Sequence, residues 1–408
     1  MPSGHFLPLA GVRVLDCSRV LAGPFATMLL ADLGAEVVKL EPPAGDESRG
    51  WGPPFLGDPA DRISAYFAAV NRNKRSIAVD LRTEEGRELL DRLVSRSELL
   101  VHNARPSSAE RLGLGASRLA ERHPDLVVAT VAGFAIAGDD AERPAYDLLA
   151  QAVTGLMAVT GEPSGAPMKV GVALLDLLAG LEVAVGALAG LLAAERRGHR
   201  LGQGSGMDQA HGSRIDVALV ESGVASLINV LGNLIAIGEE PARHGNAHPN
   251  IVPYEVFVCA DGHLAIAVGN DQQFARLVSA LGLPSDERFA TNAERLEHRA
   301  ELIPILAGAI ADRRRDELVA ALIEADVPAG PVNRVSEALA MMQGMSSGDW
   351  LDEAGPYRLA PSPIWVNGER LPVREAPPRL GEHTDAVLAE AGLEPDQIAT
   401  LRASGVVA

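Results

Sequence analysis

The chain has 408 residues, of which 47% are hydrophobic and only 4% aromatic, so it can bury a sizeable core and is too long for one ordinary compact domain. Its net charge of −18 and pI near 5.0 argue against a nucleic-acid-binding protein, which usually presents a basic face. The two cysteines, Cys17 and Cys259, lack a CxxC partner, which disfavours a disulfide framework or a zinc site and favours the cytoplasm.

The first 135 residues alternate between short apolar strands and amphipathic helices. This alternation is typical of an α/β fold with a parallel sheet covered by helices on both faces. Thr83 is predicted to cap a helix, because its hydroxyl can accept a hydrogen bond from a backbone N–H of the first turn. The predicted strands are 12–18, 35–41, 76–81, 98–103 and 126–134, and the predicted helices are 24–34 and one after Thr83.

Longer apolar helices are predicted at 146–159, 172–196 and 214–237. The second of them approaches the length of a membrane span, but Asp176 and Glu182 interrupt it and Gly and Ala are frequent. A buried helix of a soluble protein is therefore the preferred interpretation, and the first eleven residues lack the pattern of a secretion signal. The segment 198–214 is rich in Gly, His and Ser and predicts an exposed loop without an assigned role.

A smaller α+β domain is predicted within a large α/β domain that both chain ends form. Residues 254–269 predict a hairpin with Asp261-Gly262 at its turn, and amphipathic helices follow from about Asp271 to Asp326. The predicted domains are 1–237, the first part of the large domain, 238–330, the small domain, and 331–408, the return to the large domain.

The first strand–helix junction runs from Arg19 to Pro24 and predicts a tight turn with free backbone N–H groups. The start of a helix in such a turn can bind phosphate or another anion. The dinucleotide fingerprint GxGxxG is absent, so a nicotinamide cofactor is not supported. A plain strand-to-helix connection is the alternative.

The densest basic cluster of the front half lies at 71–76, on a predicted loop before a strand. It could clamp a phosphorylated ligand, since guanidinium and ammonium groups bind phosphate oxygens strongly. A solvated turn is the alternative. The cations proposed for the clamp are Arg72, Lys74 and Arg75, with Arg105 and Arg111 as additions.

Asp176 lies among apolar residues in the sequence LLDLL. Because burying a carboxylate is costly without partners, the residue needs an explanation. One is a helix N-cap, and another is a nucleophile toward a thioester, ionised with the help of the helix N-terminus. Tyr146 and Asp147 are either helix-start residues or assistants of Asp176. No HExxH or GxSxG pattern occurs, which disfavours a metal hydrolase or a serine hydrolase.

Five segments in order resemble the family III CoA-transferases, the group of formyl-CoA transferase, carnitine CoA-transferase and α-methylacyl-CoA racemase. The resemblance covers nearly the whole chain and matches the catalytic aspartate of the family to Asp176, thirty residues after Tyr146. The segments are 9–41, 71–81, 143–161, 171–181 and 380–388.

The resemblance implies CoA transfer through a covalent aspartyl intermediate, with coenzyme A and acyl-CoA as substrates and no metal or prosthetic group. It also implies a Rossmann-like large domain and a homodimer whose two chains interlock. The implied CoA contacts are Val20, Leu21, Ala22, Val79, Arg82, Asn103, Ala104, Arg111 and Leu112.

Two pairs of positions depart from formyl-CoA transferase. That enzyme has Gln and Glu where this chain has Leu21 and Asp147, and because of the Leu at position 21 formate and oxalate are not the expected substrates. Pro42 and Pro144 stand where it has basic CoA contacts, so the contacts with CoA must differ here.

Tyr146 favours a transferase over a racemase. The racemase branch has a His at the matching position, and a Tyr is a far weaker base near neutral pH. Residues 245–257 and 267–274 look most like those of transferases acting on dicarboxylates such as succinate, glutarate, itaconate or mesaconate. An acyl-CoA racemase or isomerase and a non-catalytic acyl-CoA-binding protein are the alternatives.

Overall fold

A computed structural model describes residues 6–59, 62–201, 212–346 and 348–408. The chain divides into two compact units: the first contains Met1–Leu156, Val170–Leu231 and Asp349–Ala408, and the second contains Met157–Lys169 and Gly232–Gly348. The predicted boundaries after residues 237 and 330 therefore both fall inside the second unit. One reason is Arg243, whose guanidinium donates to three carbonyl oxygens of the 157–169 segment and so ties that segment to the second unit.

Strands lie at the positions predicted for the first half, with shifts of one to three residues at their ends. In chain order the strands of the described residues are β1 (Arg13–Cys17), β2 (Glu36–Glu41), β3 (Phe55–Leu56), β4 (Ile63–Ser64), β5 (Lys74–Ala78), β6 (Leu99–His102), β7 (Val127–Ala132), β8 (Ser213–Ala218), β9 (Tyr254–Cys259), β10 (Gly262–Ala267), β11 (Ala329–Pro331), β12 (Asp352–Ala354), β13 (Tyr357–Leu359), β14 (Trp365–Val366) and β15 (Glu369–Arg370).

The α-helices fall between these strands. They are α1 (Ala22–Asp32), α2 (Ala65–Ala68), α3 (Glu84–Val94), α4 (Pro106–Leu112), α5 (Ala116–Arg122), α6 (Asp147–Val153), α7 (Leu156–Val159), α8 (Leu174–Leu201), α9 (Leu219–Ala225), α10 (Ile228–Ile237), α11 (Asp271–Leu281), α12 (Asn292–Glu297), α13 (Arg299–Ile310), α14 (Arg315–Glu324), α15 (Val335–Met345), α16 (Thr384–Glu390) and α17 (Pro395–Ala403).

The first unit is built on a parallel six-stranded sheet, which confirms the predicted α/β class. Its strand order is β5-β2-β1-β6-β7-β8. Numbered along the chain, this is the order 3-2-1-4-5-6 of doubly wound nucleotide-binding folds, whose ligands bind where the order reverses, between the first and fourth strands. Thr83 caps α3 as predicted, since its Oγ1 accepts a hydrogen bond from the Gly86 N–H at 3.0 Å.

The predicted helix over 214–237 is wrong in its first part. Residues Ser213–Ala218 form β8, the edge strand next to β7, and helices α9 and α10 follow. The apolar residues Ile215 and Val217 are β-branched, and such side chains fit a pleated, half-buried surface better than a helix. The predicted loop 198–214 is partly replaced by the end of α8 and the start of β8, and its residues 202–211 lie outside the described residues.

Two hydrophobic cores cover the two faces of the sheet. Successive residues of β1 show the division, because Val14 packs into the core beneath α1 and α8, whereas Leu15 packs into the core beneath α3, α5, α16 and α17. Val387, Leu388 and Ile398 of the last two helices belong to the second of these cores. The C-terminal segment therefore completes the first unit.

Helix α8 packs closely on α1 because one position of the contact has no side chain. A Cβ added to Gly180 would lie 2.7 Å from the carbonyl oxygen of Ala22. The approach brings the start of α8, with Asp176, beside the turn that precedes α1. On the other side of this turn, a Cβ at Gly23 would lie 2.4 Å from the Ser18 side chain, so Gly23 is also required.

Helix α8 is also long and apolar enough to cross a membrane over Leu174–Arg196, and the bent pair α9 and α10 passes the same test together. However, Ala179, Val183 and Ala187 are fully buried in the core beneath the sheet. This packing favours the predicted core helix. The opposite side of α8 leaves Leu181, Val185 and Leu192 exposed.

The second unit has its own core around the antiparallel sheet β11-β10-β9. The predicted hairpin is confirmed with its turn one residue earlier, at Ala260-Asp261, since Gly262 pairs with Cys259. Helices α11 to α14 pack against the sheet through residues such as Leu277, Leu306 and Leu322.

Candidate active site

The larger of two neighbouring cavities in the first unit lies at the carboxyl ends of β1 and β6. This is the point at which the strand order reverses, where ligands bind in sheets of this topology. The cavity has a volume of about 740 Å³ and reaches from Arg82 and Ser108 to Tyr146 and Asp176. Most of the implied CoA contacts line it, namely Val20, Leu21, Ala22, Val79, Arg82, Asn103, Ala104 and Leu112.

The other predicted binding residues lie elsewhere. Arg111, on α4, does not line the cavity, and its guanidinium donates to the Ser108 hydroxyl at 3.0 Å. By contrast, Pro42 and Pro144 do line the cavity. The two positions that were expected to lack the basic CoA contacts of formyl-CoA transferase therefore belong to this cavity.

The predicted phosphate clamp at 71–76 is wrong in this structure, because its cations are paired within the protein. Arg72 is buried and donates two hydrogen bonds to Asp32, and Lys74 is buried with its ammonium 2.9 Å from Asp16. Arg75 lines neither cavity and forms a two-bond ion pair with Glu390. The strand β5 begins at Lys74, earlier than predicted, and so draws this cluster into the sheet.

Asp176 is the third residue of α8 rather than its N-cap, which corrects the structural alternative drawn from the sequence. Its side chain lines both this cavity and a smaller neighbour of about 470 Å³. Burial and the nearby carboxylate of Asp147 raise the pKa of Asp176 to about 7. A carboxylate at this position is therefore poorly solvated and unusually basic, which suits nucleophilic attack.

Asp147 joins α6 to the start of α8. One carboxylate oxygen accepts a hydrogen bond from the Leu175 N–H at 2.8 Å, and the other accepts from Gln151 Nε2 at 2.6 Å. Asp147 thus caps the helix that carries Asp176 and adds negative charge beside it. Tyr146, the preceding residue, is 52% exposed and lines both cavities.

The smaller cavity contains two aromatic residues that sequence analysis missed, Trp51 and Tyr66. Their rings meet edge to face at a centroid distance of 5.0 Å. Burial and the charge of Asp176 raise the pKa of Tyr66 to about 12, so its hydroxyl stays protonated and can donate. The one available signal was the clustering of aromatic residues at 51–67 in a chain with few of them.

Buried charges support the turn between β1 and α1. The Lys39 ammonium donates to the Ser18 carbonyl oxygen at 2.9 Å and lies 3.0 Å from Asp46. The Lys74 ammonium contacts Asp16 and also donates to the Pro24 carbonyl oxygen at 2.8 Å. Burial alone would raise the pKa of Asp16, but Lys74 and Lys39 hold it well below its ordinary value.

Several cations line the larger cavity. Arg19 has no hydrogen bond or ion pair through its side chain within the described part of the chain, and its backbone N–H and carbonyl are held by the Asn103 amide at 3.0 and 2.8 Å. Arg105 donates only to the Glu142 carbonyl oxygen, at 3.3 Å. Arg143 forms an exposed ion pair with Asp140 and lies over the Phe134 ring.

Metal ligands do not cluster in this site. Over 6–59, 62–201, 212–346 and 348–408, no group of three His, Cys, Asp or Glu side chains is placed to hold a metal ion.

Comparison with known proteins decides the family. The model of CoA-transferase family III matches residues 9–384. The chain belongs to this family.

Relatives of this CoA-transferase differ in the acids they are named for. It is 40% identical to the succinate–glutarate CoA-transferase of Agrobacterium fabrum over 94% of this chain and 95% of that protein. It is 37% identical to the human succinyl-CoA:glutarate CoA-transferase, over 98% and 90%, and 34% identical to a succinyl-CoA:mesaconate CoA-transferase of Haloarcula hispanica, over 94% and 96%.

A solved structure shares the fold. The crystal structure of a CaiB/BaiF family protein from Brucella suis has a TM-score of 0.82 and 39% identity, and the match covers 95% of this chain and all of that one. The predicted family and the prediction that the protein is a CoA-transferase are both confirmed.

Proposed function

We propose that this CoA-transferase moves CoA from an acyl-CoA to a dicarboxylic acid through a covalent intermediate on Asp176. The observation that carries the proposal is the position of Asp176 in the wall that the two cavities share. The larger cavity offers room and cations for CoA, and the smaller one offers aromatic walls for the acyl group. The dicarboxylate preference is supported by the acids for which the relatives are named.

The proposed reaction consists of four exchanges at one carboxylate. An oxygen of Asp176 attacks the thioester carbonyl carbon, the C–S bond breaks, and CoA thiolate leaves a mixed anhydride. The thiolate then attacks the aspartyl carbonyl carbon and releases the donor acid. The acceptor carboxylate displaces the thiolate from this aspartyl thioester, and the thiolate finally attacks the acceptor carbonyl carbon and frees Asp176. No net proton transfer is required, and each step is easier than direct exchange.

The N-terminus of α1 is the proposed source of oxyanion stabilisation. The start of α8 is less suited to this role, because the N–H groups of Leu175 and Leu177 already bond to Asp147 and Ala173. By contrast, the backbone N–H groups of Leu21, Ala22 and Gly23 have no acceptor among the described residues. Such groups at a helix start stabilise negative charge that develops on an oxygen.

Arg19 and Arg105 are the proposed phosphate contacts of CoA. Both line the larger cavity, and neither forms an ion pair with a carboxylate in the described part of the chain. Arg82, by contrast, forms a two-bond ion pair with Asp80. Arg143 adjoins Pro144 and could replace the basic contact that is missing there, because its ion pair with Asp140 is exposed and weak.

The smaller cavity is the proposed acyl site. Its lining contains no cation, so a second carboxylate of the acid would depend on hydrogen bonds from Tyr66, Tyr146 and the Trp51 indole N–H, or on groups outside this lining. Its aromatic walls can pack against the methylene groups of a dicarboxylic acid.

A homodimer in the cytoplasm is proposed as the working form. Apolar side chains of α6 and α8 remain exposed, and a second copy would cover them. Both cysteines are free thiols, as in a reducing compartment.

Trapping with hydroxylamine tests the intermediate. The protein is incubated with succinyl-CoA, quenched with hydroxylamine and analysed by peptide mass spectrometry, with Asp176→Ala as the control. A hydroxamate on Asp176 is expected, because an anhydride or thioester of its carboxyl group is attacked by the amine. If a wide panel of acyl-CoA donors leaves Asp176 unmodified, the covalent mechanism is wrong. Deuterium uptake at the acyl α-carbon in heavy water would then identify a racemase.

A further inference from the structure

Val20 forms the dividing wall of the site and is held in an unfavourable backbone conformation. Among the described residues, only Val20, Tyr146 and Asp176 line both cavities. The φ of Val20 is +72°, in the left-handed region that β-branched residues rarely adopt. Such a conformation persists only where the surrounding structure enforces it, and it is concentrated at functional sites.

The backbone N–H of Val20 faces the buried carboxylate of Asp46. Its Oδ2 accepts a hydrogen bond from the Val20 N–H at 3.1 Å, and its Oδ1 lies 3.3 Å from the same N–H. Lys39, whose side chain is fully buried, forms an ion pair with Asp46 and fixes the Ser18 carbonyl two residues before Val20. A charged acceptor strengthens the hydrogen bond to a backbone N–H, more so away from water.

Asp46 also holds the segment that supplies Trp51. Its carboxylate accepts from the N–H and the hydroxyl of Ser48 at 3.0 and 2.8 Å, and so caps the short turn Glu47–Gly50 that immediately precedes Trp51. The Asp46 N–H is in turn fixed by Glu41 at 3.0 Å. One carboxylate therefore connects the wall between the cavities with an aromatic wall of the smaller one.

We infer that Asp46, paired with Lys39, is a positioning residue that keeps Val20 in its left-handed conformation and thereby sets the thioester carbonyl against Asp176. The inference rests on the proposed function, since it assigns the reacting carbonyl to the junction of the two cavities. Asp46 acts through Val20 and does not line either cavity itself.

A double-mutant cycle tests the inference. Asp46→Ala lets Val20 relax, and we expect kcat to fall about 10²-fold, the loss that a misplacement near 1 Å can cause. Val20→Gly provides a backbone that adopts positive φ without strain, so Asp46→Ala should cost much less kcat in that background. Asp32→Ala is the matched control, because Asp32 is equally buried and paired with Arg72 but lies outside both cavities.

The cycle also separates positioning from general stability. The control should lower the melting temperature and leave kcat of the folded protein near that of the wild type. If Asp46→Ala fails to fold, Asp46→Asn replaces it in the cycle, since the amide keeps an acceptor but loses the charge. Equal losses of kcat in the wild-type and Val20→Gly backgrounds, within the roughly twofold scatter of independent sites, would overturn the inference. A hydroxamate still trapped on Asp176 in that case would leave the proposed function intact.

Discussion

The chemistry of the site depends on one carboxylate placed beside another. Asp147 does two things for Asp176: it fixes the first turn of α8 through the Leu175 N–H, and its charge adds to the effect of burial, which together raise the pKa of Asp176 to about 7. A nucleophilic carboxylate gains basicity from this arrangement while remaining ionised for a useful fraction of the time near neutral pH.

The first prediction concerns pH. The kcat/KM of the wild type should rise with pH and level off above about 7, because Asp176 must be ionised to attack. Asp147→Asn removes the neighbouring charge, which lowers the pKa of Asp176 and shifts this acidic limb to lower pH. The pH–rate profiles of both proteins, with melting temperatures as a folding control, check the shift. An acidic limb that does not move would mean that Asp147 has no electrostatic role.

The second prediction concerns stability. The pKa of Asp176 is higher in the folded state than its ordinary value of 3.8, so the folded state binds more protons between these values and stability falls as pH rises through about 7. Asp176→Asn abolishes the cost of the buried charge. It should raise the free energy of unfolding at pH 8 by an amount on the order of a few kcal/mol, since each pKa unit is worth about 1.4 kcal/mol.

Denaturant unfolding of wild type and Asp176→Asn at pH 5 and pH 8 measures this difference, which should shrink at pH 5. Asp125→Asn, at an exposed acid, is the control for the loss of one charge. Equal stabilities of wild type and Asp176→Asn at pH 8 would contradict the prediction.

The third prediction concerns the unpaired cation of the larger cavity. Arg19→Ala should raise the KM for acyl-CoA by about tenfold, since a hydrogen bond to a charged group contributes about 1.5 kcal/mol or more. Arg122→Ala is the control, because Arg122 pairs with Asp91 outside the cavity. The difference between the two KM values should diminish at high salt. A KM that does not change would remove Arg19 from the CoA site.

At the level of single residues, sequence could single out Asp176 as the proposed nucleophile but could not predict its surroundings. Asp176 follows from the resemblance and from its apolar neighbours. The role of Asp46 depends on contacts with Val20 and Lys39, which are 26 and 7 positions away along the chain and meet only in the fold. The prediction of a phosphate clamp at 71–76 was wrong for the same reason. The carboxylates that pair with Arg72 and Lys74 come from α1 and β1, which are distant in sequence.

Among the elements, the pair α1 and α8 matters most, because their close approach brings Asp176 beside the turn at Val20. The contact is possible only with a glycine at position 180. The parallel strands of the first half were predictable from near-continuous apolar runs. The sixth strand was not, because the charged residues Arg214 and Asp216 interrupt Ser213–Ala218 and the strand directly precedes an apolar helix.

The fourth prediction tests this contact. Gly180→Ala should destabilise the protein by about 1–3 kcal/mol, the usual cost of overpacking, and lower kcat by displacing the start of α8. Gly308→Ala is the matched control, because a Cβ at that helical glycine meets nothing within 4 Å. The control should be neutral or stabilise, by up to about 1 kcal/mol, since alanine favours the helix. Equal effects of both substitutions on stability and kcat would contradict the packing argument.

For the whole molecule, sequence predicted two units and a return of the C-terminus to the first, but not where the boundaries fall. The boundary residues are set by contacts such as those of Arg243 with the 157–169 segment, which leave no local pattern. The exposed apolar side of α8 is likewise a property of the folded chain, visible only once the opposite side is known to pack on the sheet.

The fifth prediction concerns assembly. Val185 is 67% exposed on the apolar side of α8, so Val185→Asp should disrupt a dimer formed through this surface. Light scattering coupled to size-exclusion chromatography should then give the mass of a monomer, whereas we expect the mass of a dimer for the wild type. Ala120→Asp introduces the same charge at an exposed position of α5 and should leave the dimer unchanged. A dimeric Val185→Asp variant would place the interface elsewhere.

The two cavities draw their walls from different parts of the chain, and this separation bears on how the family diversifies. The ends of the sheet strands form most of the larger cavity, whereas Trp51 and Tyr66 of the smaller one belong to the excursion between β2 and β5. Under the proposed assignment of the smaller cavity to the acid and the larger one to CoA, substitutions in the segment between β2 and β5 would change the acid that is accepted and leave the CoA site as it is. We therefore expect relatives named for different acids, such as glutarate and mesaconate, to differ in this segment.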